Sequence, residues 1–150
     1  MPRILIVEDD PFKHRELATV INDQLGDADV VTASSVREAI AALGDEPFHC
    51  ILLDIALPSH GLQKGQGAPT SLPSGGLEIL MELNYSGRRD PVVIVTQYPE
   101  VEIEGRLYPL SRVRKKITEL MQVHLVGIIQ FDRLSGAWRV ELASIVRRNK

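Results

Sequence analysis

Residues 4–11 read ILIVEDDP: four consecutive apolar residues, Ile4 to Val7, run straight into Glu8, Asp9, Asp10 and Pro11. An unbroken apolar run of this length suits a parallel strand covered on both faces, whereas a half-exposed strand alternates. Pro11 fits the first turn of a helix and Asp10 its cap. Leu17, Val20 and Ile21 then recur at helical spacing. The same phrase, apolar run then amphipathic stretch, repeats along the chain. Further runs lie at Asp29 to Thr32, Phe48 to Leu53, Val92 to Val95 and Leu125 to Phe131.

The intervening helices carry their own signals. Ser35 with Glu38 reads as a capping box, Val36, Ala39, Ile40 and Leu43 as a stripe, and Gly44 as its stop. Leu77, Leu80 and Met81 mark a third helix, and Val113, Ile117, Leu120 and Met121 a fourth. Trp138, Leu142 and Ile145 mark a fifth, with Arg147, Arg148 and Lys150 at its end. Right-handed crossovers turn this order into an α/β fold: a five-stranded doubly wound parallel sheet, order 2-1-3-4-5, with helices on both faces. One domain over residues 1–150 is expected.

Composition narrows the function. Hydrophobic residues at 44% and charged residues at 25% of 150 support a packed core. A net charge of -3 gives no global attraction to nucleic acid or anionic membrane. The single cysteine, Cys50, excludes an internal disulfide and a thiolate metal cluster. The start is not basic, and no apolar run approaches the roughly 20 residues that span a bilayer. A cytoplasmic protein with neither membrane nor direct nucleic-acid partner is expected.

In such sheets the site lies beyond the carboxyl ends of the strands. The first strand ends in Glu8, Asp9 and Asp10, the third in Asp54, the fourth in Thr96. The first and third strands are neighbours in the predicted order, so their carboxylates converge. Clustered carboxylates repel unless a cation sits among them, and oxygen ligands favour Mg2+. Beside that charge the Asp54 carboxylate is a nucleophile for a phosphoryl group, and the Thr96 hydroxyl a hydrogen-bond donor to it.

These residues carry a resemblance. ILIVEDDP at 4–11, DIALP from Asp54 to Pro58, the segment Gly76 to Leu80, and VVIVT from Val92 to Thr96 are similar to a response-regulator receiver domain, in order over nearly the whole chain. The resemblance implies that Glu8 and Asp9 are the acidic pair and Asp54 the phosphoacceptor and a metal ligand. It also implies that the Ala56 backbone carbonyl completes the protein ligands of Mg2+, and that Thr96 is the switch hydroxyl. It further implies a two-component phosphorelay, with a histidine kinase or phosphotransfer protein upstream. The chain reads as a stand-alone module, so its output passes through a downstream protein.

Three departures stand out. Receivers normally end the fifth strand in lysine then proline, whereas this one reads Leu125 to Asp132 without lysine; Gln130 is expected in its place. Lys64, Lys115 and Lys116 are other cations able to reach in. Residues 57–76 form a long Gly/Pro-rich loop beside Asp54, and Pro99 to Pro109 is expected as a polar loop before the fourth helix. The alternative function is a pseudo-receiver, a binding module independent of phosphorylation. A dehalogenase-type phosphatase needs a second aspartate where Ala56 stands.

Overall fold

The computed structural model describes residues 1–57 and 75–149. Most of the expected 57–76 loop, Lys64 included, lies outside those residues; Leu57, Gly75 and Gly76 lie within them.

Strand β1 (Arg3–Val7) leads into helix α1 (Pro11–Leu25), which Asp10 caps by accepting the Phe12 N–H at 3.1 Å. Strand β2 (Asp29–Ala33) precedes α2 (Val36–Leu43), where Ser35 Oγ accepts the Glu38 N–H at 3.2 Å. Then follow β3 (Cys50–Leu53), α3 (Gly75–Tyr85) and β4 (Pro91–Thr96). A hairpin of β5 (Glu100–Ile103) and β6 (Arg106–Pro109) intervenes before α4 (Leu110–Leu120), β7 (His124–Gln130) and α5 (Ala137–Arg148). The main sheet is five-stranded and parallel, order β2-β1-β3-β4-β7, which is the predicted 2-1-3-4-5 order with β7 as the fifth strand.

Alternation along the strands sorts the core into two layers. Ile4, Ile6, Cys50, Leu52, Val93, Val95, Ile129 and Phe131 pack with Leu17 and Ile21 of α1 and Trp138 and Leu142 of α5. Leu5, Val7, Ile51, Leu53, Val92 and Ile94 face the other way, towards α2, α3, α4 and the hairpin.

Two expectations need correction. Pro99 to Pro109 is not a polar loop: Val101 and Ile103 are 2% exposed and join the core, because they alternate with Glu100 and Glu102 along a strand. Glu104 and Gly105 turn that hairpin, both at positive φ (53° and 78°). The third helix begins at Gly75 rather than after the glycines, and it buries Gly76, Ile79, Leu80 and Leu83. Met81, expected on its inner stripe, is 56% exposed.

Candidate functional site

The fold brings Glu8 and Asp9, just past β1, to Asp54, just past β3. The Asp54 N–H extends the ladder by donating to Val7 O at 3.1 Å. One carboxylate oxygen from each of Glu8, Asp9 and Asp54 lies within 4.8 Å of the others. Glu8 and Asp54 are buried, Asp9 is exposed. Glu8 Oε1 accepts the Asp10 N–H at 3.0 Å, and Asp54 Oδ1 accepts the Ala56 N–H at 3.1 Å.

A lysine sits among them that the sequence reading missed. Lys13, in the first turn of α1, is 1% exposed. Its Nζ lies 2.6 Å from Glu8 Oε2 and 3.5 Å from Asp54 Oδ2, and donates to Val95 O at 2.7 Å. The Phe131 ring centroid is 5.9 Å from the same nitrogen. The signal was in the helical phase: Lys13 shares the buried stripe of Leu17, Val20 and Ile21, a position that ordinarily takes an apolar residue. A lysine there requires acceptors inside the fold.

Electrostatics at the site are strained in the direction that favours a cation. Burial and the neighbouring Asp54 charge push Glu8 up to about 7, against the pull of Lys13. Burial likewise raises Asp54, opposed by Lys13 and the Ala56 N–H and reinforced by Asp9. One ammonium thus leaves the carboxylates undercompensated.

Thr96, at the end of β4, is 1% exposed, and its Oγ1 accepts the Tyr98 N–H at 3.2 Å. Thr96 and Ala56 line one small cavity with Tyr98, Glu100, Val101 and Glu102, so the hairpin abuts the site. Gln130 pairs with Thr96 in the sheet register but is exposed. Strand alternation places it on the layer opposite Asp54 and Phe131. Among the described residues no hydrogen bond joins Gln130 to Asp54. Lys115 is exposed, and Lys116 has its Nζ 5.7 Å from the Tyr108 ring centroid.

The sequence matches the response regulator receiver domain over residues 4–109. The chain belongs to the response-regulator receiver family. The receiver is 41% identical over 110 residues to the Detocs response regulatory protein DtcB of Vibrio alginolyticus, covering 72% of this chain and 74% of that protein. Solved structures share its fold. The chemotaxis response regulator CheY4 of Vibrio cholerae superposes with a TM-score of 0.62 at 16% identity, over 97% of this chain and 98% of that one. The Mn2+-bound form of response regulator Rcp1 superposes with a TM-score of 0.61 at 21% identity, over 99% of this chain and 91% of that one. The receiver is therefore a two-component signalling domain, and no helix among its described residues is long and apolar enough to cross a membrane.

Proposed function

We propose that this receiver accepts one phosphoryl group on Asp54 from a histidine kinase or phosphotransfer protein in the cytoplasm, and passes the change to a downstream protein. The observation that carries this reading is the convergence of the Glu8, Asp9 and Asp54 carboxylates within 4.8 Å. Such a set is hard-oxygen in character and suits Mg2+. The charge balance supports the fit: one buried ammonium, that of Lys13, stands among three carboxylates, 2.6 Å from Glu8 Oε2 and 3.5 Å from Asp54 Oδ2. Glu8, Asp9, Asp54 and the Ala56 backbone carbonyl would hold the ion. Mg2+, when bound, supplies positive charge against the phosphoryl oxygens.

The chain's own residues do the rest. Asp54 Oδ2 presents the nucleophile, because Oδ1 is engaged by the Ala56 N–H. The Thr96 hydroxyl, adjacent to Ala56 across their shared cavity, is the switch: turning towards a phosphoryl oxygen takes it away from the Tyr98 N–H. Tyr98 leads directly into β5, so the hairpin is the element that feels the change.

The pseudo-receiver alternative has one observation in its favour, the absence of lysine from β7. Beryllofluoride, a phosphoryl mimic, separates the two readings. Trp138, the single tryptophan, lies 4.8 Å from the Phe131 ring and reports on the site. Titration with beryllofluoride and Mg2+ should give a saturable fluorescence change in the wild type and none in Asp54→Ala. A wild type that binds neither reagent supports the phosphorylation-independent module instead.

A further inference from the structure

We propose that Lys13 is the cation that contacts the phosphoryl group, taking over from α1 the role a fifth-strand lysine plays elsewhere in the family. The inference rests on Asp54 being the phosphoacceptor. The strand end that would normally supply the lysine carries Gln130, exposed and on the far layer, followed by Phe131, which is 3% exposed and turned inward. Phe131 occupies the inward position with an apolar ring, and Lys13 reaches the same space from the helix, its Nζ 5.9 Å from that ring centroid. The ammonium is already 3.5 Å from Asp54 Oδ2, so a group attached to that carboxylate comes within its reach.

Its surroundings fix the direction of its effect. Lys13 is anchored to Val95 O at 2.7 Å, at the last step before the switch residue Thr96. Its other partner is Glu8 Oε2 at 2.6 Å, a carboxylate that is also placed to hold the metal. Lys13 and the metal therefore compete for Glu8. Glu8 would help hold the ion, and a Glu8 so engaged would leave the Lys13 ammonium to Asp54 Oδ2, 3.5 Å away, and to a phosphoryl oxygen attached there. A buried, charge-assisted hydrogen bond of this kind is worth about tenfold to a hundredfold in affinity.

The test measures two dissociation constants by calorimetry: Mg2+ alone, and beryllofluoride at saturating Mg2+. Lys13→Met, which fills the same space without charge, is expected to weaken beryllofluoride about tenfold or more while Mg2+ binds at least as tightly as in the wild type. Lys13→Gln, which keeps a donor for Val95 O, should show the same split if the methionine variant does not fold. Undiminished beryllofluoride affinity in both variants overturns the proposal and leaves Asp54 as phosphoacceptor. A parallel loss of Mg2+ and beryllofluoride binding also overturns it, because Lys13 then merely supports the shape of the site. A wild type that binds Mg2+ but no beryllofluoride overturns the phosphoacceptor reading and this one with it.

Discussion

Asp90→Ala is expected to lower the stability of the fold by about 3 kcal/mol, the cost of leaving a buried charge partner alone. Asp90 sits just before β4, at the end of the sheet away from the acidic site, and its side chain is 1% exposed. It accepts from Arg88 Nε at 3.0 Å and Nη2 at 2.8 Å, a two-pronged pairing, and from the Phe48 N–H at 2.7 Å. The Arg88 guanidinium in turn donates to Leu43 O, Gly44 O and Glu46 O, tying the end of α2 and the approach to β3 onto β4. Alanine strands both the guanidinium and the Phe48 N–H.

The same residue gives a pH signature. Burial alone would raise the Asp90 carboxyl, but the Arg88 and Phe48 hydrogen bonds outweigh it and hold it below its ordinary value. A depressed folded-state value means the contribution is complete above the unfolded value of about 3.9 and fades as pH falls through the folded one. Urea unfolding should show the full gap between wild type and Asp90→Ala at pH 7 and a smaller gap at pH 3. An equal gap at both pH values contradicts the assignment.

Gly76→Ala should be costly both for stability and for the site. A Cβ at Gly76 would lie 2.6 Å from Asp54 O and 2.6 Å from Ile55 Cα, both backbone atoms that cannot rotate away. The close approach is held by the Gly76 N–H donating to Ile55 O at 3.1 Å. Overpacking of this kind costs about 1–3 kcal/mol, and each kcal/mol lowers Tm by roughly 2–4 °C in a chain of this size. The displaced atoms belong to the turn that presents Asp54, so beryllofluoride affinity should fall with Tm. Gly87→Ala is the comparison: Gly87 has open space around it but sits at φ +70°, so it should cost stability while leaving beryllofluoride affinity unchanged. An unaltered Tm in Gly76→Ala removes the argument.

The main sheet was legible because its strands are unbroken apolar runs, and the stops at Glu8, Asp54 and Thr96 fall where β1, β3 and β4 end. The carboxylate cluster followed from strand order alone, since β1 and β3 are neighbours. In two places polar residues hide a regular pattern. In the hairpin, Val101 and Ile103 alternate with glutamates, and the charge density masks a period of two. In α1, Lys13 falls on the inward stripe, and a lysine near a helix start reads as solvated unless its phase is compared with Leu17 and Ile21. The fifth strand carries no lysine, whereas the fold brings the Lys13 ammonium to the site across space from the first helix. Gln130 was drawn to the site by its sequence position, one residue away from the inward-facing Phe131; a single step along a strand changes the layer.

Intact mass after incubation with acetyl phosphate tests the central claim most directly. The wild type with Mg2+ should gain one phosphoryl group, lose it on treatment with hydroxylamine as an acyl phosphate does, and gain nothing when Mg2+ is chelated. Asp54→Asn should gain nothing under any of these conditions. Equal incorporation by wild type and Asp54→Asn, or a wild type that stays unmodified by acetyl phosphate and by its kinase alike, would contradict the assignment of Asp54 as the phosphoacceptor.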